Sequence, residues 1–71
     1  MVEKILIKIK KRRNELGYSQ HYVSSQLNIT QSSYNKIENG TTELTVSMLM
    51  QLCKTLQLEY KSMHFDEKDT V

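Results

Sequence analysis

The sequence predicts an all-α fold, a compact bundle of five short helices. Three observations carry that expectation. Proline is absent and glycine occurs twice in 71 residues rich in Leu, Ile, Lys, Gln and Glu, a mixture that suits helices. Apolar residues recur at three- and four-residue spacing along most of the chain. Ser or Thr stands ahead of three of these runs, and Gly or Asn stands just past three of them.

The first run places Val2, Ile5, Leu6, Ile9 and Leu16 on one side of a 3.6-residue period, with lysines and arginines around the rest. This is helix 1, from Val2 to Leu16. Gly17 follows it, where a residue without a side chain can take the left-handed conformation that closes a helix. Ser19 is placed as the N-cap of helix 2, Gln20 to Leu27, whose Val23 and Leu27 share a face at an i, i+4 spacing. Asn28 ends it, because asparagine tolerates positive φ better than other residues with a side chain.

Thr30 is the next cap, and helix 3 is expected from Gln31 to Asn39, closed by Gly40. Its period turns Tyr34, Ile37 and Glu38 toward the body and Gln31, Ser32, Asn35 and Lys36 outward. Only Asn28, Ile29 and Thr30 separate helices 2 and 3, so the chain must turn sharply and the two helices cross. Thr45 then caps helix 4, whose Val46, Leu49, Cys53 and Leu56 repeat at helical spacing. Met48, Met50 and Leu52 widen that apolar face beyond what one small core needs, which points to cover by a second subunit. A short fifth helix from Leu58 to Phe65 would close the core with Leu58, Tyr60, Met63 and Phe65. The expected domain is residues 1–65, with 66–71 a loose polar tail.

Composition narrows the possibilities. A chain this short buries a modest core and forms one domain. With Cys53 its single cysteine, it has no disulfide framework. His21 and His64 lack the further ligands a metal site needs, so they read as ordinary polar residues, and no cofactor is implied. Cys53, on an apolar face with no neighbouring histidine, reads as a small core residue rather than a nucleophile. Paired carboxylates and phosphate-cradling glycine loops are absent, which argues against an enzyme. No apolar stretch approaches a membrane span or a secretion signal, so a reducing cytoplasm is the expected setting. Charge is unevenly placed: seven basic residues stand against three acidic ones over 1–40, and three against five over 41–71. A polyanion would meet the N-terminal half first.

The run Gly17-Tyr18-Ser19-Gln20, then Val23, Gln31-Ser32 and Ile37-Glu38-Asn39-Gly40, resembles the lambda-repressor-like family, the Xre or Cro type of bacterial and phage regulators. The likeness covers roughly residues 5–65. It implies a five-helix bundle with a central helix-turn-helix, in which helix 2 lies across the DNA backbone and helix 3 enters the major groove. Carried over by position, it implies base contacts from Gln31, Ser32, Asn35 and Lys36. A glutamine at Gln31 suits adenine, donating to N7 and accepting from the N6 amine. Phosphate contacts are implied for Gln20 at the head of helix 2, and for Ser19, Thr30, Asn39, Thr41 and Thr42. Arg13 and Glu38 are expected to pair across helices 1 and 3; losing one partner would strand a charge at a cost of about 3–5 kcal/mol.

Three positions depart from the family pattern. Ser24 stands where alanine is usual, Asn28 where the turn glycine is usual, and Tyr34 where Val or Ile is usual. The Tyr34 ring is therefore expected to lie partly against the core with its hydroxyl reaching solvent or phosphate. Apart from Arg13, the basic run Lys10-Lys11-Arg12-Arg13 reads as a solvated face that attracts DNA only at long range. The implied partners are double-stranded DNA and a second copy of the chain, as a homodimer on a two-fold operator. The alternative is an antitoxin, the same fold also binding a toxin protein. The chain stops soon after the bundle, so no small-molecule effector is expected.

Overall fold

A computed structural model describes residues 2–60. Over these residues the chain forms four helices and no strand: α1 Val2–Glu15, α2 Gln20–Gln26, α3 Gln31–Glu38 and α4 Val46–Thr55. The helices begin and end where local chemistry directs. The three caps are in place: Ser19 accepts from the Tyr22 amide, Thr30 from Ser33 and Thr45 from Met48, at 2.9, 3.0 and 3.1 Å. Helices 1, 2 and 3 each end one residue earlier than expected, at Glu15, Gln26 and Glu38, with Leu27 and Asn39 serving as the C-caps of the latter two.

All four helices close in the same way. The residue after each C-cap has positive φ: Gly17 at 74°, Asn28 at 59°, Gly40 at 80° and Gln57 at 57°. The next amide then reaches back to a carbonyl of the last turn: Tyr18 to Arg13, Ile29 to Ser24, Thr41 to Lys36 and Leu58 to Cys53, at 2.8–3.0 Å. These are Schellman closures, which satisfy carbonyls the helix leaves open. Gln57 is the unexpected member, since an ordinary side chain is strained in this conformation.

The core joins all four helices. Ile5, Leu6 and Ile9 come from α1, Val23 from α2, Tyr34 from α3, and Leu49, Leu52 and Cys53 from α4, with the C-caps Leu27 and Leu56 sealing the ends. Burial of side chains such as these, at roughly 1.5–3 kcal/mol each, is the main favourable contribution to a fold whose single cysteine allows no internal disulfide. Val46 and Met50, one turn apart on α4, are 62% and 55% exposed.

Arg12 is more than part of a solvated face. Its Nε donates to the carbonyl of Leu56 at 3.0 Å, tying α1 to the C-terminal end of α4, where a cation also meets the negative pole of the helix. The fifth helix expected at Leu58 to Phe65 lies mostly outside the described residues, as do Met63 and Phe65; Leu58 and Glu59 belong to no helix.

Candidate functional site

The period of α3 divides it cleanly. Tyr34, Ile37 and Glu38 are buried, while Gln31, Ser32 and Lys36 are exposed and Asn35 is half-buried. The turn before it is compact because Asn28 accepts the left-handed conformation and the Ile29 amide folds back onto Ser24. Ser24 itself is buried, and its hydroxyl donates to the His21 carbonyl at 2.8 Å, so a small and satisfied side chain stands there.

Behind α3 lies a polar cluster centred on Glu38. Its Oε2 accepts from Arg13 Nε at 2.9 Å and from the Tyr34 hydroxyl at 2.7 Å. Its Oε1 accepts from Arg13 Nη2 at 3.1 Å and from Gln20 Nε2 at 2.9 Å. The remaining Arg13 Nη1 donates to the Tyr18 carbonyl at 2.8 Å, at the turn between α1 and α2. Three helices thus meet on one carboxylate. Among the described residues no buried side-chain nitrogen or oxygen lacks a partner, which is the condition under which a buried ion pair is tolerable.

Titration follows from this geometry. Burial pushes the Glu38 carboxyl upward, but hydrogen bonds from Arg13, Tyr34 and Gln20 outweigh it and hold the group below its ordinary value. Tyr34 is pushed well above the ordinary phenol value by burial, and then by its bond to the Glu38 anion. The hydrogen bond to Glu38 raises Arg13 further, against the opposing effect of burial. Glu38 is therefore an anion and Arg13 a cation at neutral pH.

The structure corrects the expectation for Tyr34. Its hydroxyl reaches neither solvent nor the outer surface; the whole side chain is buried and the hydroxyl is spent on Glu38. The signal was present in the sequence as an i, i+4 spacing on a helix, which places the two side chains one turn apart.

From Glu38 the hydrogen bonds continue outward. Asn35 Nδ2 donates to Gln20 Oε1 at 3.2 Å, and Asn39 Nδ2 donates to Asn35 Oδ1 at 3.0 Å. Gln20, at the start of α2, and Asn35, in the middle of α3, are thereby brought together across the helix crossing. Sequence reasoning missed this link, for which no local spacing gives a signal. Ser19 and Thr30 use their hydroxyl oxygens as caps, and Thr30 also donates to the Ser33 hydroxyl at 2.9 Å. Thr41 and Thr42 are exposed after α3, with both amides donating to the Lys36 carbonyl.

The arrangement offers amide, hydroxyl and ammonium groups on one side of a short helix. Among the described residues no three His, Cys, Asp or Glu side chains gather as metal ligands. The thiol of Cys53 is buried, which pushes its pKa up and leaves it a poor nucleophile. No described helix is long and apolar enough to cross a membrane.

A protein-family model described as helix-turn-helix matches residues 9–61, from the middle of α1 to beyond α4. No curated protein and no solved structure gives a significant match.

Proposed function

The chain belongs to the lambda-repressor-like, Xre/Cro-type helix-turn-helix family of DNA-binding transcriptional regulators, and from that premise we propose that it reads a specific duplex sequence with α3 in the major groove. The family is one of DNA-binding domains rather than enzymes. The observation that carries the finer reading is the division of α3: Tyr34, Ile37 and Glu38 anchor it from behind, and Gln31, Ser32 and Lys36 stand exposed in front. Gln31 and Ser32 open the helix, where side chains reach base edges first in this docking mode. Asn35 lies on the same side, at the seam with α2.

Gln20, Ser19, Thr30, Asn39, Thr41 and Thr42 are the proposed phosphate neighbours. Such contacts fix register, while the base edges supply specificity. The exposed pair Val46 and Met50 on α4 supports a homodimer, since contiguous apolar side chains on a helix favour cover by another chain. A homodimer would recognise a two-fold operator with half-sites about one helical turn apart.

A second reading, an antitoxin that also binds a toxin protein, is favoured by one observation. Ile7 is 66% exposed on α1 and lines an open cleft with Lys10, Lys11, Asn14 and Glu15. Co-purification of a stoichiometric partner that occludes Ile7 would support that role alongside DNA binding.

The test is selection of bound duplexes from a randomised pool, with the oligomeric state measured in the same buffer. A recovered sequence with two-fold symmetry and a steep fall of affinity with salt is expected. Failure to bind any duplex at low ionic strength overturns the reading.

A further inference from the structure

An ionised carboxylate can only accept hydrogen bonds. The Gln20 atom 2.9 Å from Glu38 Oε1 must therefore be its nitrogen, which turns Gln20 Oε1 toward Asn35. That oxygen also only accepts, so the Asn35 atom 3.2 Å away must be Nδ2. Asn35 Oδ1 is then left to accept from Asn39 Nδ2 at 3.0 Å. One buried charge dictates the polarity of three successive amides, and the last two sit at the edge of α3.

Polarity matters because an amide turned by half a revolution exchanges its donor and its acceptor. A free asparagine adopts either arrangement, and only one matches a given base edge. Held at both ends, Asn35 keeps one N–H and one oxygen lone pair in a fixed order. That order suits an edge with an acceptor beside a donor, such as adenine N7 and N6. Arg13 and Tyr34 occupy the remaining acceptor sites of Glu38 and keep its carboxylate from rotating.

We propose that Glu38 is a positioning residue for sequence readout: acting through Gln20, its carboxylate sets which end of the Asn35 amide meets a base and so sets the preference at one base pair. This rests on the reading of α3 as the recognition helix. It gives Gln20 a part in specificity beyond any phosphate contact it makes. Gln20 and Asn35 then act as one unit, and their effects at that base pair do not add.

The test compares binding-site profiles from randomised duplex pools for the wild type, Gln20→Ala, Asn35→Ala and the double variant. Asn35→Ala should lower discrimination at one base pair by about ten-fold. Gln20→Ala should relax the same base pair, and the double variant should relax it no further than Asn35→Ala does. Glu38→Gln, which must turn an N–H toward Arg13, should relax it too; should that variant fail to fold, Gln20→Ala decides alone. In the free protein, the Asn35 side-chain amide proton bonded to Gln20 should be protected from solvent exchange and lose that protection in Gln20→Ala. A Gln20→Ala variant that weakens all sequences equally, or leaves the Asn35 amide unchanged, overturns the proposal. A wild-type protein that binds no duplex sinks the reading of α3 itself.

Discussion

The Tyr34 hydroxyl meets Glu38 Oε2 at 2.7 Å from one turn earlier on the same helix, and both side chains are sealed from solvent. The contact lets a large aromatic residue fill the core without stranding its polar end. It also completes the set of donors around a carboxylate shared by α1, α2 and α3.

Tyr34→Phe keeps the ring and removes that donor. Hydrogen bonds to charged groups contribute about 1.5–3 kcal/mol, so a loss of stability in that range is expected from urea unfolding. An unchanged midpoint would mean the hydroxyl adds nothing that Arg13 and Gln20 do not already supply.

Stability should fall at both ends of the pH scale. Glu38 titrates lower when folded, so its contribution is present above the ordinary carboxyl value of 4.5 and lost as pH falls below it. Tyr34 titrates higher when folded, so its contribution is complete below the ordinary phenol value of 10.0 and lost as pH rises past it. Urea midpoints measured across pH should show both arms in the wild type, and Tyr34→Phe should flatten the alkaline arm relative to the wild type. Parallel alkaline losses in the two proteins would contradict the assignment.

Arg12 and Lys36 are both basic, yet their variants should separate. Arg12→Gln should lower stability by about 1 kcal/mol through loss of the bond to the Leu56 carbonyl, with the salt dependence of DNA binding nearly unchanged. Lys36→Ala should leave stability alone and, where Lys36 meets a phosphate, reduce the salt slope by about one. The two slopes, measured by anisotropy titrations at several ionic strengths, check this; a large slope change for Arg12→Gln would place that side chain on DNA instead.

The helix closures differ in strain. Gly40→Ala forces a side chain into φ +80° and brings its Cβ within 3.3 Å of Leu6 Cδ1, so a loss of about 1–2 kcal/mol is expected. Gln57→Gly should act in the opposite sense and stabilise by about 0.5–1 kcal/mol, because glycine takes φ 57° without steric penalty. Thermal unfolding of both variants tests the sign; destabilisation by Gln57→Gly would show that its side chain holds the closure.

Gln31→Ala should lose about 1–3 kcal/mol on the preferred duplex and relax selection at one base pair, with little change in unfolding, since the side chain is exposed at the first turn of α3. Equal weakening on every duplex would reassign Gln31 to the phosphate backbone.

The sequence by itself determined, to within a residue, where the helices start and stop from the end of α1 to the start of α4. Ser19, Thr30 and Thr45 act on amides three residues away, and Gly17, Asn28 and Gly40 close the preceding turns, so the interactions involved span only a few residues. The closure at Gln57 escaped notice because nothing in a glutamine marks a left-handed position. The outward edge of α3 was legible for the same local reason, as a 3.6-residue period of polar and apolar side chains. Tertiary structure alone decided what that edge is attached to. Arg12 reaches Leu56 across 44 positions, and Gln20 reaches Asn35 across 15 and Glu38 across 18. Those partners depend on the angle and depth at which the helices cross, which is set by how the core side chains pack together and has no signature in any single segment.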